Sequence, residues 1–247
     1  MTDSVPFYRI ENEAAASAVV LVCEHASNAF PPPWEDGLGL APDQRAAHIA
    51  WDPGALGVAR GLARALDAAL IHATASRLIY DLNRPPHAPG AMPAQSEVHR
   101  IPGNADLSAG ERLARTRAHY IPFHAALAGL LSERLARGTR PALITVHSFT
   151  PVYFGQPRAV EFGVIHDADD RLARAIATRD TGLNTSLNEP YSASDGVAHM
   201  LARHATPFGL PHAMLEIRND LIATPEAQAD MAARLAPAIQ AAINEVG

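Results

Sequence analysis

Residues 141–149 read Pro-Ala-Leu-Ile-Thr-Val-His147-Ser-Phe, a short apolar run that ends in a histidine. Such a run, opened by proline and free of charge, has the pattern of a buried strand. Two other stretches have the same kind of edge: Val19-Val-Leu-Val-Cys-Glu24-His25 and His212-Ala-Met-Leu-Glu216-Ile-Arg218. Open α/β folds bind their ligands just beyond the carboxyl ends of the strands. Three strand ends bearing His25, His147 and Glu216 therefore point to one shared site. Imidazoles and carboxylates gathered there are the raw material of a metal-dependent hydrolase.

Outward from these edges, apolar runs at 18–23, 69–73, 76–80, 141–146, 160–165 and 212–217 alternate with helical patterns. The clearest helix starts at Asp52-Pro53 and carries Leu56, Ala59, Leu62, Ala63, Leu66 and Leu70 at helical spacing. Others are expected over 107–137, 168–179, 194–205 and 225–245. Alternation of this kind predicts a layered α/β fold with a mostly parallel sheet. No repeat, biased tail or polar linker divides residues 1–247, which read as one domain. Phe30-Pro-Pro-Pro-Trp and the segment 83–106 interrupt the rhythm, and loops of that length often form functional rims or lids.

Composition narrows the function. A content of 48% hydrophobic and 19% charged residues excludes disorder. The longest apolar runs are far too short to span a membrane, and Met-Thr-Asp-Ser has no secretory character. The single Cys23 excludes an internal disulfide and fits a reducing cytoplasm. A formal charge of −6 argues against a nucleic-acid partner. All 20 basic residues are arginines, which removes Schiff-base, P-loop and pyridoxal-anchoring lysines from consideration. It also leaves arginine as the only strong cation for gripping a carboxylate.

Each candidate residue has a structural reading beside the chemical one. His25 and His147 are either strand-end histidines bonded to loops or ligands. Asp52 before Pro53 is an N-cap with proline at N1, or a metal carboxylate at the sheet edge. Glu216 and Arg218 stand on one strand face, so they form an ion pair, or Glu216 is a general base poised by burial. In Ser-Arg77-Leu-Ile-Tyr-Asp81-Leu-Asn83-Arg84, strand alternation puts Arg77, Ile79 and Asp81 on one face. That run staples a loop or presents arginine to an acidic substrate. Cys23 lies on the opposite face from a strand neighbour and reads as core. Ser27 and Ser148 lack the Gly-x-Ser-x-Gly elbow of serine hydrolases.

The order Glu24-His25-Ala-Ser-Asn, Trp-Asp52, Arg77-Leu-Ile-Tyr-Asp81-Leu-Asn83-Arg84, Thr-Val-His147-Ser-Phe and Leu-Glu216-Ile-Arg218 resembles the N-formylglutamate amidohydrolase family. Phe154-Gly-Gln-Pro-Arg158 and Asn188-Glu-Pro-Tyr191-Ser-Ala-Ser-Asp195-Gly196 add to the likeness, which spans about 18–222. The resemblance implies a three-layer α/β/α sandwich with a mostly parallel mixed sheet, distantly similar to zinc exopeptidases and cell-wall amidases. It implies a cytoplasmic enzyme of histidine breakdown that hydrolyses N-formyl-L-glutamate to formate and glutamate. The implied roles are His25, Asp52 and His147 for a divalent metal, zinc first, and Glu216 as general acid/base. Arg218 is expected to orient Glu216 or stabilise the oxyanion. Arg77, Asp81, Asn83, Arg84, Ser148, Arg158 and Tyr191 fall to substrate binding, with Arg84 or Arg77 on a substrate carboxylate. Where zinc carboxypeptidases carry a glutamate three residues after the first histidine, this chain has Asn28, and Asp52 would supply the carboxylate. Glu24, preceding His25, looks like a subgroup feature of that family rather than its common form. The alternatives are a related amidase for another N-acyl amino acid, small peptide or peptidoglycan fragment, or a metal-free binding module. The expected assembly is a monomer or small homo-oligomer.

Overall fold

The buried run becomes the central strand of a seven-stranded sheet. A computed structural model describes residues 6–192, 194 and 196–247. Asp195, part of one family-like segment, lies outside them. The strands are β1 (Tyr8–Glu11), β2 (Val19–Cys23), β3 (Ala69–Ala73), β4 (Ala142–Phe149), β5 (Phe162–Ile165), β6 (Thr185–Leu187) and β7 (His212–Arg218). They lie in the order β1-β3-β2-β4-β7-β5-β6. β3, β2, β4 and β7 are parallel, whereas β1 and β5 run antiparallel to their neighbours β3 and β7. The sheet is thus mixed and mostly parallel.

Alternate residues feed two cores. Leu21, Ile144, Val146, Leu215 and Ile217 pack with helices α1 (Ala55–Ala65), α3 (Arg171–Ala177) and α5 (Pro225–Val246). Val20, Val22, Leu143 and Met214 pack on the other side with α2 (Ile121–Ala136) and α4 (His199–His204). Helices on both faces give the three-layer α/β/α sandwich. α1 forms because Ala55, Val58, Ala59, Leu62 and Ala63 make one apolar stripe at helical spacing, and all are buried. Truncating fully buried Leu62 to alanine is expected to cost about 2–5 kcal/mol. The helix stops before Asp67, whose φ is +46°, so Leu70 belongs to β3 and not to the helical stripe. Among the described residues no helix is long and apolar enough to cross a membrane.

One expected strand is absent. Residues 76–80 form a turn, because the Ser76 hydroxyl donates to the Ala50 carbonyl at 2.8 Å and accepts from the Leu78 amide at 3.2 Å. A local side-chain bond of this kind competes with strand pairing. The apolar residues Leu78 and Ile79 instead fill a third cluster with Leu38, Leu40, Ile49 and Ile101. This cluster is also packed by Phe30 and Trp34 from the proline-rich interruption.

Candidate active site

The carboxyl end of β4 and its neighbours carries the site. His147 lies within β4, and Glu216 stands directly opposite it in the parallel register of β7. On the other flank Glu216 faces Gly163 of β5. A Cβ at Gly163 would fall 1.9 Å from the Glu189 carbonyl oxygen, so this position has to be glycine for the 188–191 segment to close over the sheet. His25 follows β2, and its carbonyl accepts the Asp52 amide at 2.9 Å. Asp52 is thereby pinned at the sheet edge. Gly54 then turns with φ +81°, where a Cβ would meet the Ile222 carbonyl at 2.4 Å.

Asp52 is the node of the cluster. Its side chain makes no cap bond to α1, whose N-cap is Gly54. Asp52 Oδ2 lies 3.0 Å from His147 Nδ1 and 3.4 Å from His25 Nδ1, and it accepts the Ser148 amide at 3.3 Å. Asp52 Oδ1 accepts from Arg77 at 3.4 Å, with His48 Nδ1 at 3.8 Å. His25, Asp52 and His147 are buried, and one ligand atom from each lies within 4.8 Å of the others. Burial opposes ionisation of Asp52, yet His25 and His147 hold its carboxyl well below the usual range.

Glu216 is different. Its Oε2 is buried with no hydrogen-bond partner, and burial pushes its carboxyl up to about 7. The Glu216–Arg218 ion pair does not form. Arg218 bonds Asp220 at 2.9 Å and the Arg158 carbonyl at 3.2 Å, with Glu161 at 3.6 Å. The guanidinium is taken up by these partners at the sheet edge. Arg218 makes no bond to Glu216 among the described residues and does not line the cavity.

Because 76–80 is a turn, Arg77 and Asp81 meet as an i,i+4 pair at 2.6 Å and not across a strand face. Asp81 Oδ1 lies 2.8 Å from His25 Nε2 and accepts the Asn83 amide at 2.9 Å. Arg77 and Asp81 are committed to the protein, although both line the cavity. Asn83 accepts the Met200 amide at 2.9 Å and donates to the Val197 carbonyl, tying the 83 turn to α4. Ser148 donates to the Pro53 carbonyl at 2.8 Å, which fixes the turn carrying Asp52.

A cavity of about 310 Å³ opens over the cluster, lined by His25, Asp52, His147 and Glu216 and by Arg84, Gln95, Ser96, Glu97, Tyr153 and Tyr191. The 83–106 interruption thus forms part of its rim. Arg84 donates to the Gly196 carbonyl and has no carboxylate partner among the described residues. A second cavity of about 790 Å³ shares Arg84, Tyr153, Tyr191 and Val197 with the first. Arg158 lines it, with its guanidinium 4.4 Å from the Tyr153 ring centre and 5.0 Å from that of Tyr191. Sequence reasoning missed His48 and Tyr153, which had no pattern to mark them, and it assigned no task to Glu24.

A three-layer sandwich with two imidazoles, a carboxylate node and a raised glutamate at the sheet edge defines a hydrolase-type site. Residues 17–223 match the model of the N-formylglutamate amidohydrolase family, and the chain belongs to that family. It is accordingly a hydrolase acting on amide bonds. The chain is similar to a gene product of Agrobacterium tumefaciens of known crystal structure, at 47% identity and a TM-score of 0.95, covering 98% of this chain and 96% of that one. It shares its fold with an N-formylglutamate amidohydrolase from Ralstonia eutropha JMP134, at 17% identity and a TM-score of 0.71, covering 98% of this chain and 100% of that one. No curated protein matches the chain.

Proposed function

We propose that this chain, acting as one catalytic domain, hydrolyses the amide of an N-acylated acidic amino acid, with N-formyl-L-glutamate as the first substrate. The observation that carries this reading is the convergence of His25 Nδ1 and His147 Nδ1 on Asp52 Oδ2, with Glu216 lining the same cavity. Two imidazoles and one carboxylate are a donor set that zinc takes in catalytic sites. Their ligand atoms are buried and lie within 4.8 Å of one another, a spacing that fits a small divalent cation. His25, Asp52 and His147 would hold the ion. When bound, zinc supplies activation of water and polarisation of the amide carbonyl.

The remaining steps belong to the chain's own residues. Glu216 takes the proton of the attacking water at its carboxylate and delivers it to the leaving amine nitrogen. Burial raises the Glu216 carboxyl in the metal-free protein, which makes it a stronger base than an exposed glutamate. Arg84, which has no carboxylate bonded to it among the described residues, grips the substrate's side-chain carboxylate. Tyr191 and Arg158 wall the entrance, and Ser148, Asn83 and Asp81 hold the machinery in register. Its proposed setting is the cytoplasm and its proposed role a step of histidine breakdown. The acidic net charge fits a small-molecule partner and not nucleic acid, and assembly as a monomer or small homo-oligomer is expected.

The adjoining cavity beside Arg158 favours a second substrate class, larger N-acyl amino acids or small peptides. A hydrolysis screen over N-formyl, N-acetyl and N-succinyl amino acids, with zinc, cobalt or manganese added, separates the two. Fastest release of formate from N-formyl-L-glutamate supports the first reading. Preference for a bulkier acyl group or a peptide replaces it with the second, and no hydrolysis of any amide overturns both.

A further inference from the structure

We propose that Glu24 is a positioning residue that fixes the tautomer and orientation of His147, so that His147 offers Nδ1 to the metal. This rests on the metal-dependent reading above. The His147 ring is held between two carboxylates. Its Nδ1 faces Asp52 Oδ2 at 3.0 Å, and its Nε2 faces Glu24 Oε1 at 3.2 Å. The Glu24 side chain is 0% exposed. Both Glu24 oxygens and His147 Nε2 are buried and lack a well-aligned hydrogen bond. Three unanswered polar atoms in one buried spot are costly. A small rotation of either side chain converts the 3.2 Å approach into one Nε2–H···Oε1 bond. That bond answers the nitrogen and one oxygen together.

His25 displays the same arrangement in finished form. Its Nδ1 turns to Asp52 Oδ2, while its Nε2 is bonded to Asp81 Oδ1 at 2.8 Å. Both imidazoles thus present Nδ1 to one point and Nε2 to a backing carboxylate. A neutral imidazole that donates from Nε2 has its lone pair on Nδ1, so the Glu24 bond selects the tautomer able to coordinate. A carboxylate in this place also raises the ligand's basicity. Glu24 does not line the cavity, which rules it out as a group that touches substrate and leaves it to act through His147.

The test measures zinc affinity, not turnover. Metal-stripped wild type, Glu24→Gln and Glu24→Ala are titrated with zinc against a chromophoric chelator. Losing an outer carboxylate of this kind weakens metal binding about 10- to 100-fold, so Glu24→Ala is expected to fall in that range. Glu24→Gln keeps an amide oxygen to accept from Nε2–H, and its loss is expected to be smaller. In parallel, nitrogen-15 NMR of the zinc-loaded wild type is expected to find the His147 proton on Nε2. This readout decides the matter even if Glu24→Ala does not fold. Glu24→Ala binding zinc as tightly as wild type or Glu24→Gln, or a His147 proton on Nδ1, overturns the proposal while leaving the metal reading intact. A wild type that binds no zinc overturns both.

Discussion

Replacing Glu216 by glutamine keeps the side chain's shape and removes its ability to carry a proton. Two effects of opposite sign follow. Burial lifts the Glu216 carboxyl from 4.5 to about 7. Between those values the folded protein holds a proton that the unfolded chain has released, so stability falls as pH rises through this window and is level above it. With the side chain only 5% exposed, the cost to the metal-free protein reaches roughly 3 kcal/mol above pH 7. Glutamine has no such cost. Metal-free Glu216→Gln should be more stable than wild type by up to roughly 3 kcal/mol at pH 8 and by little at pH 5, read from urea denaturation. Its kcat, in contrast, should drop by roughly 10²–10⁴-fold with metal content unchanged. A variant that gains stability and loses turnover marks a residue kept for chemistry at the expense of the fold. Near-normal turnover would refute the base assignment, and unchanged stability at pH 8 would refute the burial argument behind it.

Three further outcomes are expected. Arg84→Ala should lower kcat/KM for N-formyl-L-glutamate by about 10- to 150-fold, the loss of a contact worth on the order of 1.5–3 kcal/mol, while an uncharged N-formyl amino acid suffers much less. Arg84→Lys should recover little, since an ammonium lacks the planar fork, and equal losses on charged and neutral substrates would count against this role. Gly163→Ala puts a methyl 1.9 Å from the Glu189 carbonyl, which should cost roughly 1–3 kcal/mol in thermal denaturation and raise KM by moving Tyr191; unchanged melting and KM would contradict the close approach. Burial holds His204 at about 4 and His124 at about 2, so neither ring should titrate between pH 8 and 5 by NMR. Their contribution to stability is complete above about 6.5 and falls at lower pH, by up to about 1.4 kcal/mol per pH unit for each ring. A midpoint near 6.5 for either ring would refute their neutral burial.

Much of the site was legible because strand ends are legible. The apolar runs before His25, His147 and Glu216 mark three parallel strands, and parallel strands bring their carboxyl ends to one edge. Asp52 was ambiguous because Asp-Pro-Gly is also a helix start. Only the backbone bond from Asp52 to His25, together with Gly54 in the left-handed region, turns the carboxylate to the imidazoles. The run at 76–80 has strand composition, and its turn depends on Ser76 reaching Ala50, a contact 26 residues away. That long-range bond decides how Arg77 and Asp81 meet, so their ion pair and the backing of His25 were hidden from local pattern. Arg218 sits one alternation from Glu216, yet its partners Asp220 and Glu161 are set by the loop beyond β7 and by the neighbouring edge. The strands Tyr8–Glu11 and Thr185–Leu187 are short, half-exposed sheet edges with little apolar alternation to betray them.

On the proposed function, a divalent metal held by His25, Asp52 and His147 enables this chain to hydrolyse an N-acyl amino acid. Formate release from N-formyl-L-glutamate by metal-stripped protein, followed while zinc is added stepwise, tests it directly. Negligible release without metal, a rise with each addition, and saturation at about one zinc per chain are expected. Release that is undiminished in the stripped protein, or absent at every zinc concentration, would contradict it.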